Sequence, residues 1–249
     1  MNSAEFQANT PYAQFGTYAI DAPVDARRTF IQKTYVHLMA AIYAFVAVEW
    51  LLFSLGADQW IMSFLGNTPY AWLMVLGAFM VVSWVADSWA RSSTSIAMQY
   101  AGLFLYVLAE AVIFLPLIHL SLEAAVTVDG VGTVGVLPAA AVTTLLIFGG
   151  LTAVTFITKK DFSFLRGFLG IAMFAAIALI LISALIGFHL GIWFSWFMVV
   201  AASGYILYYT SNIIHHYRTE QYVAASLALF ASVALLFWYV LQIFLANRD

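Results

Sequence analysis

Three acidic residues stand inside stretches that are otherwise apolar: Glu49, Asp87 and Glu110. A carboxylate in hydrocarbon costs roughly 2.5–3.5 kcal/mol on insertion scales, so each should face the protein interior or water, or carry its proton. Carboxyls so placed suit the passage of a proton or a cation. Their rival role is structural, as neutral carboxyls hydrogen-bonded between helices. We assign Glu49 and Glu110 to an ion path. Asp87 is the third candidate, although its place near a span end lets it simply reach water. No lysine or arginine lies mid-span to pair with any of the three.

Other chemistries find little support. The five histidines (37, 119, 189, 215 and 216) include no pair at the i, i+4 spacing that puts two ligands on one helix face, so no metal site is expected. Gly130 to Gly135 matches G-x-G-x-x-G, but a dinucleotide site needs a strand before it, a helix after it and an acidic residue about 20 positions on, whereas this motif falls in a loop expected to face away from the cytoplasm. We read it as a flexible glycine-rich loop. Nothing sets a serine against a base and a third group, so no enzyme activity and no cofactor are expected. There are no cysteines, which excludes disulfide and thiol chemistry. No basic patch with interleaved aromatics suggests nucleic acid.

The elements that must position the acids are long apolar runs. The chain is 64% hydrophobic and 8% charged over 249 residues, with a mean hydropathy of +0.96; soluble domains carry about 25% charged residues. Seven runs read as membrane-spanning helices: Thr34–Leu55, Tyr70–Trp89, Ile96–Leu120, Leu137–Ile157, Leu165–Phe188, Ile192–Thr210 and Tyr222–Ala246. Each is close to the roughly 20 residues needed to cross about 30 Å of hydrocarbon. Helices satisfy their own backbone in lipid, and the alternation of a membrane barrel is absent. Glu49 lies 15 residues past Thr34 and Glu110 lies 14 past Ile96. On helices running the same way, that places both about 21–22 Å from the starting ends.

Basic residues fall on alternate connections. Arg27, Arg28 and Lys33, then Arg91, then Lys159, Lys160 and Arg166, then Arg218 share one side; the other side has Arg248 alone. The expected orientation is N-terminus inside and C-terminus outside, with tryptophans 60, 72, 89, 193 and 196 near span ends as a belt. The expected organisation is a cytoplasmic N-terminal segment, 1–33, and a seven-helix domain, 34–249. The first 33 residues lack the features of a cleaved signal peptide, so the first span is expected to serve as the insertion signal. Gly149 and Gly150, among threonines 143, 144, 152 and 155, suggest a close helix contact. Gly187 and Gly191 suggest a tight turn at a span junction.

Two segments on the basic side are more specific. One is Thr158-Lys159-Lys160-Asp161-Phe162-Ser163-Phe164-Leu165, in which Asp161 or Ser163 could cap the following helix. The other ends Thr210-Ser211-Asn212-Ile213-Ile214-His215. With seven spans and the ending Ala246-Asn247-Arg248-Asp249, they resemble the bacterial Bax inhibitor-1 family, nearest its YccA-like branch, from about residue 30 onward. The resemblance implies an all-α membrane fold with six helices around a central seventh. It implies two activities: a pH-sensitive calcium leak, and restraint of an FtsH-type membrane-anchored AAA protease. It also implies residence in a bacterial inner membrane. Leak members carry one aspartate at the position of Tyr209 and a second near Ala231–Ser232; neither is acidic here. Two carboxylates sharing a proton make a pH switch, which a phenol with an ordinary pKa of about 10 does not replace. Tyr209 is therefore expected to pack against the seventh span near Ala231 and Ser232 and to hold the inner mouth shut. The first functional reading is modulation of membrane proteolysis by helix contact, with the N-terminal segment exposed to the protease. The alternative is a pH-sensitive calcium or proton leak.

Overall fold

The computed structural model describes residues 17–68, 70–92, 95–128 and 132–247. Residues 1–16, Asp129, Gly130, Val131, Arg248 and Asp249, on which some of the expectations above rest, lie outside them. The described residues form eight helices and one hairpin: α1 (Val24–Ser54), α2 (Ala57–Asn67), α3 (Ala71–Ala90), α4 (Ile96–Leu122), β1 (Ala125–Val128), β2 (Gly132–Gly135), α5 (Val136–Thr158), α6 (Leu165–Ile186), α7 (Gly191–His215) and α8 (Tyr222–Ala246). All but α2 are long and apolar enough to cross a membrane, which gives seven candidate spans. The chain is an all-α multi-span membrane protein, as its apolar runs imply.

Two of the expected connections hold more structure than loops. Ala57–Asn67 is a helix, started by Gly56 at φ +72°, a conformation glycine takes without a Cβ penalty. The supposed glycine-rich loop is partly an antiparallel hairpin, pairing Ala125 with Gly135 and Val126 with Val134; β-branched residues favour such strands. Helix α1 starts at Val24, ahead of the expected Thr34. Gly187 (φ +82°) and Gly191 (φ +71°) bound the short connection between α6 and α7, as their spacing suggested.

Helix α8 is the central helix. Most of its residues are buried, and it packs against α1, α3, α4, α5 and α7. Its burial is shared by α4, which contributes Val107, Ala111, Phe114 and Leu117 to the interior. A Ser95 side chain accepting from the Met98 N–H at 3.2 Å starts α4, the usual serine cap. Helices α3 and α4 approach closely at Gly102, where a Cβ would lie 2.5 Å from the Ala86 carbonyl oxygen and the Ala90 nitrogen. Aromatic packing ties the core: Phe45 of α1 meets Phe114 of α4 edge-on at 5.3 Å, and Phe114 meets Trp238 of α8 at 5.0 Å. Gly149 and Gly150 have no neighbour near their Cβ positions, so the expected close contact there is not made. Helix α6 packs mainly on α7 and has no packed interface with α3, which leaves a gap in the bundle wall.

Candidate functional site

The spans converge on two cavities. The larger, about 820 Å³, lies between α3, α4, α6, α7 and α8. It extends from His189, Gly191 and Gln242, at the end of the bundle away from the basic residues, down to Tyr205 and Tyr209. The smaller, about 550 Å³, lies at the basic end between Arg91, Arg166, Asn212, Tyr217 and Gln221. Tyr205 and Tyr209 are the two residues that line both. Their rings stack at 6.0 Å with planes 17° apart, and Tyr208 meets Tyr209 at 5.0 Å. The Tyr205 hydroxyl donates to the Leu169 carbonyl at 3.0 Å, which ties the pair to α6. These phenol rings form the stretch of wall that the two cavities share, as a septum between them would.

Of the three acidic candidates, Glu110 alone lines the larger cavity. It is 6% exposed and has Tyr106 beside it, one turn earlier on α4. Glu49 is equally buried but outside both cavities, and neither of its carboxyl oxygens has a hydrogen-bond partner among the described residues. The two acids are thus alike in burial and not gathered into one site. Asp87 is at the end of α3 and lines neither cavity; it binds the Nε of Arg91 at 2.8 Å with both side chains substantially exposed. A cation partner was not expected for it. The i, i+4 spacing of Asp87 and Arg91 was the signal for this pair.

Tyr209 lines the larger cavity together with Ala231 and Ser232 of α8. The Ser232 hydroxyl is turned back onto its own helix, donating to the Ala228 carbonyl at 2.8 Å. Small side chains on α8 thus border the cavity at the level of the phenol.

The two motif segments dock on each other at the basic end. The Phe162 N–H donates to the Ser211 Oγ at 2.9 Å, and Ser211 donates to the Lys160 carbonyl at 3.3 Å. Asp161 Oδ2 meets His216 Nε2 at 3.1 Å. Lys159 takes the left-handed conformation that ends α5. His215 folds back to the Ser211 carbonyl at 2.9 Å, and the Asn212 carbonyl accepts the N–H groups of His216 and Tyr217. The backbone N–H of Ser163 donates to Asp161 at 2.8 Å; this bond first, then the Ser163 side chain and His216, hold the Asp161 carboxyl below its ordinary range. Asp161 therefore shapes the turn before α6, whereas the cap position itself is Phe164, with no side-chain cap. Thr210 is fully buried beside Tyr35 of α1 and Thr152 of α5. The three hydroxyls are close neighbours, and none has a hydrogen-bond partner among the described residues.

At the far end, His119 Nδ1 meets Asp58 Oδ2 at 2.8 Å and pins α2 to α4. At the basic end, residues 17–22 form a strap. The Ala19 N–H donates to the Tyr217 carbonyl at 2.8 Å, and Arg27 donates to the carbonyls of Ala19 and Ile20. Among the described residues no group of three or more His, Cys, Asp or Glu could hold a metal ion.

These features can be set beside known proteins. The chain is 28% identical over 250 residues to Bax inhibitor 1 of Schizosaccharomyces pombe, covering 98% of this chain and 85% of that protein. An uncharacterized protein of Pseudomonas aeruginosa is 39% identical over 104 residues, 41% of this chain and 46% of its own length. A Golgi anti-apoptotic protein of vaccinia virus is 33% identical over 105 residues, 40% of this chain and 43% of its own. The bacterial and viral matches thus span less than half of those proteins. The family described as inhibitor of apoptosis-promoting Bax1 matches residues 27–249, and so the chain belongs to the Bax inhibitor-1 family.

Proposed function

We propose that this chain is a gated leak in a bacterial inner membrane, with its basic end cytoplasmic, closed by the phenol septum of Tyr205 and Tyr209. The observation that carries this reading is that two cavities, one toward each end of the bundle, have those two rings, and no other residue, common to their walls. The proton is a better candidate than calcium. Calcium takes six to eight oxygen ligands, several of them carboxylates, and Glu110 is the one acid on the larger cavity. A proton needs only titratable or hydroxyl groups in sequence, and Glu110 and Tyr106 sit on the cavity wall above Tyr209. The test is proton flux into proteoliposomes carrying a pH-sensitive dye. Tyr209→Ala should raise flux above the parent across pH 5 to 8. Parent and variant both as tight as empty liposomes would overturn the leak.

A second reading keeps the contact role. Strap residues 17–22, fastened to the loop after α7, build a shaped cytoplasmic face on which a membrane-anchored AAA protease could rest. Copurification with such a protease that fails when Arg27→Ala loosens the strap, in a protein showing no flux, would favour it.

A further inference from the structure

The cavity at the basic end has a composition that the leak does not require. Its wall is made of Arg91, Arg166, Asn212, His216, Gln221 and tyrosines 205, 208, 209 and 217, with Gly170. Every side chain there carries a hydrogen-bonding group, two are guanidiniums, and no carboxylate is among them. Acids do stand behind the wall. Asp87 takes the Nε of Arg91, and Asp161 takes His216. Those two contacts give Arg91 and His216 each a carboxylate partner. Arg166, on the first turn of α6, has no acidic partner among the described residues. Arg91 follows the end of α3, so both guanidiniums sit at span ends, where lipid phosphates lie. Arg91 keeps its proton all the more firmly for its bond to Asp87, and burial pushes the Tyr217 phenol up to about 12. The wall therefore offers donors throughout the physiological range.

We infer that this cavity binds a phosphate group, held by the forks of Arg166 and Arg91 and by the hydroxyl and amide donors of Tyr208, Tyr217 and Asn212. Guanidinium forks match phosphate geometry and make the strong, charge-assisted class of hydrogen bond. At about 550 Å³ the cavity lies within the range of small-molecule sites, about 300–1,000 Å³. Its depth points to the headgroup of an anionic lipid of the basic-side leaflet; a free phosphate ester presents the same chemistry. The inference does not depend on ion flux.

The full chain, purified and placed in nanodiscs of phosphatidylcholine with or without phosphatidylglycerol, can be read by native mass spectrometry for retained lipid and by thermal unfolding. The parent should retain phosphatidylglycerol over phosphatidylcholine. Arg166→Gln should lower that retention about tenfold, the equivalent of about 1.4 kcal/mol. Tyr208→Phe should lower it less, and Arg28→Gln, at another basic site, should not. Thermal stabilisation by inorganic phosphate in pure phosphatidylcholine, lost in Arg166→Gln, would assign the site to a free phosphate and keep its chemistry. No preference for phosphatidylglycerol and no response to phosphate in the parent would overturn the inference. So would an Arg28→Gln loss equal to that of Arg166→Gln.

Discussion

Glu49 and Glu110 show how one residue type, at one burial, stands in two different settings. Glu110 has Tyr106 beside it and a cavity before it; Glu49 has neither a hydrogen-bond partner among the described residues nor a cavity. A buried polar group without a partner costs about 1–3 kcal/mol. Glu49→Met, which keeps the length and removes the polar atoms, should therefore raise stability by about that amount in detergent thermal unfolding, and proton flux should stay at the parent level. Glu110→Gln should lower flux while leaving the midpoint close to the parent. If Glu49→Met abolishes flux and Glu110→Gln does not, the path runs beside α1 and not through the larger cavity. At Tyr209 the phenol stacks on Tyr205 and cannot share a proton with Ser232, whose hydroxyl is committed to its own helix. Tyr209→Asp alone should loosen the septum without creating a carboxylate pair, and calcium flux across pH 5 to 8 should show no new titration step until Ser232→Asp is added.

Between elements, close approach and docking decide stability. Helices α3 and α4 meet over Gly102, where an added methyl group would press on backbone atoms that cannot move aside. Gly102→Ala should cost about 1–3 kcal/mol, the usual range for overpacking, and should lower the thermal midpoint. Gly150→Ala, with open space around it, should not. The docking of the segment before α6 on the end of α7 has a pH signature. The Asp161 carboxyl is held below its ordinary range in the folded protein. A group with a depressed folded pKa contributes stability above its unfolded value, about 3.9 for aspartate, and loses it as pH falls through the folded value. Asp161→Asn should therefore flatten the acid limb of a stability profile below about pH 4 and leave the profile at pH 7 and above little changed in shape. The carboxyl is substantially exposed, so the effect is small. An unchanged acid limb would mean that Asp161 titrates alike in the folded and unfolded chain.

Over the whole molecule, seven candidate spans put the two termini of the described chain on opposite ends of the bundle. The basic residues that flank the spans cluster at the end where α1 begins, the end that the bias of positive charge toward the cytoplasm predicts to face inward. A reporter active only in the cytoplasm should light up when fused after Lys160 and stay dark after Asp249; a periplasmic reporter should do the reverse. Both fusions reporting one side would remove a span. The gap between α3 and α6 belongs to this scale as well. Helix α6 packs mainly on α7 and lines the larger cavity opposite α3, so its position sets the width of that cavity.

Hydrophobic runs were enough to mark the seven candidate spans, because the bilayer constrains each spanning helix by its own length; alternating charge gives the direction expected of them. The family too was legible, in Thr158–Leu165 and Thr210–His215, which the Ser211 hydroxyl joins by bonding to the Phe162 N–H and the Lys160 carbonyl. The short helix α2 and the hairpin escaped notice because neither crosses the membrane and each is brief. The sites were less legible. Three acids in apolar runs looked alike, and spacing along one helix cannot say which of its faces meets a cavity and which meets a neighbour. Only the packing of α4, α7 and α8 set Glu110 on the cavity, left Glu49 outside it, and closed Tyr205 over Tyr209. Nor could local pattern bring Arg91 and Arg166 together. They end and begin different spans, far apart in the chain, and share a cavity only because the folded bundle brings the end of α3 and the start of α6 to one place beside the end of α7.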